Sequence, residues 1–272
     1  MKSAAKRTTV GIYGDSFGWE PRREWNVRFG QRFNQPFHMN GCEFAWRGWV
    51  TDLRQRVKHT HEIYNHCELA ASMHYSYNKF LQSHTNYEKI IFLVTAAGRL
   101  WLPHSSNITL QHIANINNLE MKMQELKLSH SPDTWPREIY CAQLMYEYHL
   151  RLDHDERLML LMLNDIKALR PDVIFVPCFE PSLILGPQSW EFAWRGPALH
   201  RLNQQDREYF GIDNDPTWHE RATCNHLSAV MNSALADIFE AWLSKNKLYD
   251  ARLTWQAPDQ DRGHYYQKIG DK

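Results

Sequence analysis

Residues 10–19 read VGIYGDSFGW. Val10, Ile12 and Tyr13 suit a buried strand, and Gly14, Asp15 and Ser16 bring it to a stop. A strand whose last turn exposes a serine hydroxyl is one way to present a nucleophile. Gly, Asp and Ser are equally the residues of an ordinary strand-to-loop turn. The rest of the chain has to separate the two.

Three further segments read as buried parallel strands: HEIYNH near 61–66, KIIFLVT at 89–95 and DVIFVPCF at 172–179. The last two are unbroken apolar, β-branched runs, as expected where helices cover both faces of a sheet. Helical patterns lie between the strands. FAWRGWVTDLRQRV (44–57) brings Trp46, Trp49, Leu53 and Val57 onto one side, and MHYSYNKFLQS (73–83) repeats the pattern more weakly. One long helix is expected from about Glu138 to Ala168, ended by Pro171. Another is expected over 229–244, with Ser228 as its N-cap and Val230, Met231, Leu235, Phe239 and Trp242 on one face. This alternation predicts a three-layer α/β/α sandwich with a mostly parallel sheet. No linker divides it, so residues 1–272 are expected to be one domain.

Three stretches fall outside the alternation: 17–42, 97–137 and 180–225. Each follows the carboxyl end of an expected strand, so all three are expected at one sheet edge, where open α/β sheets bind ligands. Long loops in compact domains are usually functional or disordered, and these are too aromatic for disorder. The segment EFAWRG occurs at both 43–48 and 191–196, but the flanking residues do not match. The first copy is expected to begin a helix, and the pair marks no repeat architecture.

The totals narrow the classes. The 272 residues carry 31 basic and 31 acidic side chains, so no net field draws the chain to nucleic acid or to an anionic membrane. The longest greasy run, LMLLMLNDI at 158–166, falls far short of the roughly 20 residues of a membrane span. MKSAAKRTTV has no apolar run before the first strand, so the expectation is synthesis in a cytoplasm without a signal peptide. Five scattered cysteines, with no Cys-x-x-Cys pair, suit free thiols.

A serine nucleophile needs a base within reach and donors for the oxyanion. The candidate base is His226 in HERATCNHLSAVMN (219–232), two residues before a helix N-cap and on the edge where Ser16 emerges. Asp213, Asp215 and Glu220 are carboxylates available to orient it, and spacing does not select among them. A Ser–His dyad helped by a backbone carbonyl is the alternative. HTH at 59–61, HCE at 66–68 and DHDE at 153–156 lack the spacing of a zinc set. No metal and no cofactor are expected. Trp19, Trp101, Trp190 and Trp218 lie in the loops around Ser16. Tryptophans most often serve packing, and four on one rim also offer a stacking surface for sugar rings.

Taken in order, these blocks resemble the SGNH (GDSL-type) hydrolase superfamily. YGDSF (13–17) is similar to the nucleophile block and CNHLS (224–228) to the histidine block. ELAASMHYSY (68–77) falls where the family has its second block, usually a glycine whose N–H lines the oxyanion hole. IIFLVTAAGR (90–99) falls on the third, usually Gly-x-Asn. The resemblance implies a flavodoxin-like fold and ester hydrolysis, with Ser16 as nucleophile, His226 as base and the Ser16 N–H as an oxyanion donor. The chain also departs from the pattern. Ala70 or Ala71 stands for the glycine, Thr95-Ala96-Ala97 replaces the block with asparagine, and Thr223 stands where an aspartate usually precedes the histidine. An alanine can offer the N–H unless the site requires a positive φ. Thr95 or Arg99 is the candidate replacement for the missing donor.

A narrower likeness, to SGNH-like proteins of tailed bacteriophages, rests on "T…R" after the third strand and "CHLS…N" near the end. It implies a virion-attached role with other virion proteins as partners. The leading expectation is therefore a serine esterase that removes a short acyl group, such as O-acetyl, from a carbohydrate-like substrate or other small ester. Nucleic acid and membrane are not expected partners. Two rivals stand beside it: a catalytically silent structural or binding protein on the same fold, and an O-acyltransferase using Ser16 and His226 with a sugar acceptor.

Overall fold

The computed structural model describes residues 6–20, 37–39, 42–44, 48–102, 112–113, 119, 123, 137–146, 152–179, 198–202, 204, 227 and 229–245. The elements in chain order are β1 (Thr8–Tyr13), β2 (Phe37–Met39), β3 (Cys42–Phe44), α1 (Trp49–Val57), β4 (His61–Asn65), α2 (Met73–Ser83), β5 (Lys89–Val94), β6 (Leu100–Trp101), β7 (His112–Ile113), α3 (Arg137–Leu144), α4 (Leu152–Leu169), β8 (Ile174–Pro177) and α5 (Ala229–Lys245).

The four expected strands form one parallel sheet in the order β4-β1-β5-β8. Val10 lies beside Ile63 on one side of β1, and Ile12 lies beside Ile91 on the other. The chain leaves β1 for the β4 edge, then returns past β1 to β5. Loops after β1 and β5 therefore diverge, and the crevice between their carboxyl ends is where such sheets bind ligands.

Alternate residues feed opposite layers, as strand geometry requires. Ile91 and Leu93 face a layer built by Trp49, Val50 and Leu53 of α1 and Met231, Leu235 and Phe239 of α5. Ile90, Phe92 and Val94 face the other, where Met73 and Phe80 of α2 meet Met159, Leu163 and Ile166 of α4. Covering both faces explains why β5 can be apolar along its length.

The helix expected over 138–168 is seen as α3 and α4, and residues 147–151 between them lie outside the described residues. Other boundaries differ from the expectation. The helix expected from residue 44 begins at Trp49, with Gly48 extended at φ −73° and ψ 159°. Glu43 and Phe44 belong instead to β3, paired antiparallel with β2. The first EFAWRG copy thus opens in a strand, and the second lies outside the described residues. Short strands also occur in stretches expected to be irregular: β2 and the first residue of β3 before α1, and β6 paired with β7 after β5.

Candidate active site

Ser16 follows β1 at the carboxyl edge of the sheet, in a turn closed by bonds from Gly18 N–H to Asp15 O (3.0 Å) and from Trp19 N–H to Ser16 O (3.3 Å). Gly14 makes this exit possible. Its φ of +149° suits glycine, and an added Cβ would sit 2.4 Å from Leu93 Cβ. Gly18 is equally hemmed in, since a Cβ there would meet Cys67 Sγ at 2.4 Å. Ser16 is 7% exposed.

Asp15, fully buried beneath the serine, organises the site. Its Oδ1 accepts from Phe17 N–H at 3.1 Å and from the Cys178 thiol at 3.3 Å. Its Oδ2 accepts from Thr95 Oγ1 at 2.7 Å and pairs with Arg99 Nη1 at 3.1 Å. Burial first, then the Asp15 charge, pushes the Cys178 thiol well above its ordinary value. Cys178 therefore stays protonated and donates. A carboxylate taken from water requires such partners, and they come from the ends of β5 and β8 as well as from the turn itself.

The loop after β4 is drawn alongside by bonds from His66 N–H to Ile12 O (2.7 Å) and from Glu68 N–H to Gly14 O (3.2 Å). Glu68 to Ala71 then forms a turn closed by Ala71 N–H to Glu68 O at 3.2 Å. Ala70 occupies its third position at φ +56°, a conformation that glycine holds without strain. Ala71's N–H is thus spent within the turn, while Ala70's N–H makes no hydrogen bond among the described residues. Between the two alanines considered, Ala70 is the one whose N–H has no partner among the described residues.

Arg99 sits 9% exposed beside this turn. The Nη1 that pairs with Asp15 also donates to Ala71 O at 3.3 Å, and the guanidinium lies 5.0 Å from the centre of the Phe179 ring. Thr95 Oγ1 and Arg99 Nη1, from the candidate replacements for the missing asparagine, therefore both reach Asp15 Oδ2.

A buried relay also holds the serine turn. Trp49 Nε1–H donates to Phe17 O at 2.7 Å, and the Trp49 N–H donates to Asn232 Oδ1 at 2.8 Å. Asn232 Nδ2 in turn donates to Leu227 O at 2.9 Å. This buried relay ties the residue after Ser16 to the residue after His226. Beyond the turn, Glu20 accepts a two-pronged bond from Arg54 (2.8 and 2.8 Å), and Asn65 Nδ2 reaches both Gly18 O (2.7 Å) and Glu20 (3.0 Å). Asp15, Asn232, Trp49 and Glu20 were not among the expected site residues. Asp15 stands inside the YGDSF block and Asn232 ends the HERATCNHLSAVMN stretch, and those were the signals available.

Of the tryptophans, Trp19 is 4% exposed, and Trp101 packs edge-on against Tyr75 at 5.5 Å. Trp190, Trp218, Asp213, Asp215, Glu220, Thr223, His226 and Ser228 lie outside the described residues. No group of three or more metal-ligating side chains occurs among the described residues.

No family model matches the chain, and no curated protein matches it. Among solved structures it is similar to LAE5, an alpha/beta hydrolase enzyme from the metagenome of Lake Arreo, at 11% identity and a TM-score of 0.29, covering 62% of this chain and 59% of that one. It is also similar to a lipase/acylhydrolase from Enterococcus faecalis, at 12% identity and a TM-score of 0.30, covering 90% of this chain and 100% of that one. A third, from Parabacteroides merdae and described as a GDSL-like lipase, shows 10% identity and a TM-score of 0.33, covering 89% and 96%. Likenesses of this size define neither a family nor an activity for the chain.

Proposed function

We propose that the protein is a serine ester hydrolase of SGNH type. The observation that carries this reading is the pairing of two turns at the switch point of the sheet. One presents Ser16, and the other holds Ala70 at a glycine-like angle with an unspent N–H. In the proposed reaction Ser16 Oγ attacks the ester carbonyl while His226 takes its proton. The N–H groups of Ser16 and Ala70 receive the negative charge that develops on the carbonyl oxygen. The alcohol leaves with the proton from His226. Water, activated by the same histidine, then releases the acid and restores Ser16. Asp215 or Glu220 orients His226 in this scheme.

The substrate class we propose is a short acyl ester on a carbohydrate, with Trp101, Trp190 and Trp218 offering ring faces to sugars. Attachment to a virion, beside other virion proteins, is the setting suggested by the phage-like sequence pattern. Both rest on the resemblance and on the aromatic loops. The test is hydrolysis of p-nitrophenyl acetate by the protein beside its Ser16→Ala variant, followed by acetate release from an O-acetylated polysaccharide. Turnover is expected to vanish in the variant.

One observation favours the rival reading of a silent binding protein. Thr95 Oγ1 and Arg99 Nη1, the groups offered in place of the asparagine donor, both bond to the buried Asp15 carboxylate. Loss of one such donor costs about a hundred- to a thousandfold in rate. Equal, negligible turnover in both proteins would select that reading.

A further inference from the structure

Arg99 joins the two turns that carry Ser16 and Ala70. One nitrogen, Nη1, lies 3.1 Å from Asp15 Oδ2, next to Ser16, and 3.3 Å from Ala71 O, next to Ala70. The guanidinium carbon lies over the Phe179 ring, 5.0 Å from its centre, and Phe179 packs edge-on against Phe17 at 5.8 Å. Arg99 is therefore fixed on three sides, and both of its acceptors adjoin a residue whose N–H serves the oxyanion in the reading above. An N–H helps a developing oxyanion only when held at the right place before the charge appears. Ala70 reaches its place through a backbone angle that alanine disfavours, so something outside the turn must hold it there.

We infer that Arg99 is a positioning residue: a clamp that sets the separation of the Ser16 and Ala70 turns and keeps the Ala70 turn in its strained form. In this role it replaces the work of the missing asparagine by geometry, without itself touching the substrate. The inference rests on the ester-hydrolase reading for its catalytic consequence, and on the contacts alone for the clamp.

Two variants test it. Arg99→Lys keeps the charge but shortens the arm and removes the planar group that stacks on Phe179. Asp15→Asn/Arg99→Met removes both charges, so that neither is left buried alone. Amide exchange is read on peptides spanning residues 66–73, where the Ala71 N–H reports the turn, with peptides of α4 as control. Both variants are expected to exchange about tenfold faster at 66–73 and at the control rate in α4. Unchanged exchange at 66–73 would overturn the clamp. On p-nitrophenyl acetate, kcat is expected to fall about tenfold to a hundredfold with KM held within about twofold. Faster exchange with undiminished kcat would overturn the catalytic consequence. If the unaltered protein shows no turnover that depends on Ser16, the ester-hydrolase reading fails and the catalytic consequence falls with it. The exchange result then still upholds or overturns the clamp.

Discussion

Ala70 and Thr95 show how much single residues can reveal when a structure gives them a partner or an angle. Ala70 stands at φ +56°, where an L-residue with a Cβ loses about 1–2 kcal/mol. Ala70→Gly relieves that strain but gives back about 0.4–1 kcal/mol through the freer unfolded chain. The expected outcome is a gain of up to about 1 kcal/mol in urea unfolding, with the hydrolytic activity retained. A clear loss of stability would mean that the angle is not strained in solution. Thr95→Val keeps the shape and removes one donor from the buried Asp15 carboxylate. Hydrogen bonds to charged groups contribute about 1.5–3 kcal/mol, so a loss near 2 kcal/mol is expected in the same measurement.

At the scale of elements, α1 starts without a side-chain cap of its own, since Gly48 has none to offer. Its first N–H is satisfied across the core by Asn232 of α5, which serves as a cap delivered by tertiary structure. Asn232→Ala removes two buried bonds at once and leaves the Trp49 N–H and the Leu227 carbonyl unpaired. The expected cost is about 2–4 kcal/mol by chemical denaturation. Trp49→Phe loses the bond to Phe17 O and leaves a cavity where a fully buried indole stood, with an expected cost of about 2–3 kcal/mol. An Asn232→Ala protein of unaltered stability would refute the relay. The four strands and α2 were legible in the sequence because apolar runs and helical spacing are local signals. The strand at Cys42–Phe44 was not, because it is defined by its antiparallel pairing with Phe37–Met39.

For the whole molecule, proton linkage predicts a stability plateau with two falling limbs. Burial first, then the charge of Lys89, lowers the His61 pKa. The unfolded chain takes up that proton at the ordinary 6.5 while the folded one resists it, so this contribution is whole above 6.5 and drains as pH falls below it. Asp172, held low chiefly by its hydrogen bond from Arg170, adds a further loss as pH falls below the ordinary 3.8. On the alkaline side burial raises the Cys67 and Cys178 thiols, so their contribution is whole below the ordinary 9.0 and is lost as pH rises past it. Urea midpoints measured from about pH 2.5 to about pH 10 check both limbs, and His61→Gln is expected to flatten the upper part of the acid one.

Strand periodicity, the covered central sheet, the turn at Gly14-Asp15-Ser16 and the choice of Ser16 as the residue to test could all be read along the chain. Each depends on neighbours within a few positions, and short-range sterics and burial periodicity act at that range. The surroundings of Asp15 could not be read this way. Its partners Thr95 and Cys178 lie 80 and 163 residues away, and only the strand order β4-β1-β5-β8 brings the ends of β1, β5 and β8 together. Whether Thr95 and Arg99 face a substrate or a buried carboxylate was therefore a tertiary matter. So was the choice between Ala70 and Ala71, since a backbone angle and a spent N–H exist only once the turn has closed. The physical reason is the same in both cases: the free energy of a buried charge or a strained residue depends on what surrounds it in space, and sequence distance carries no measure of that.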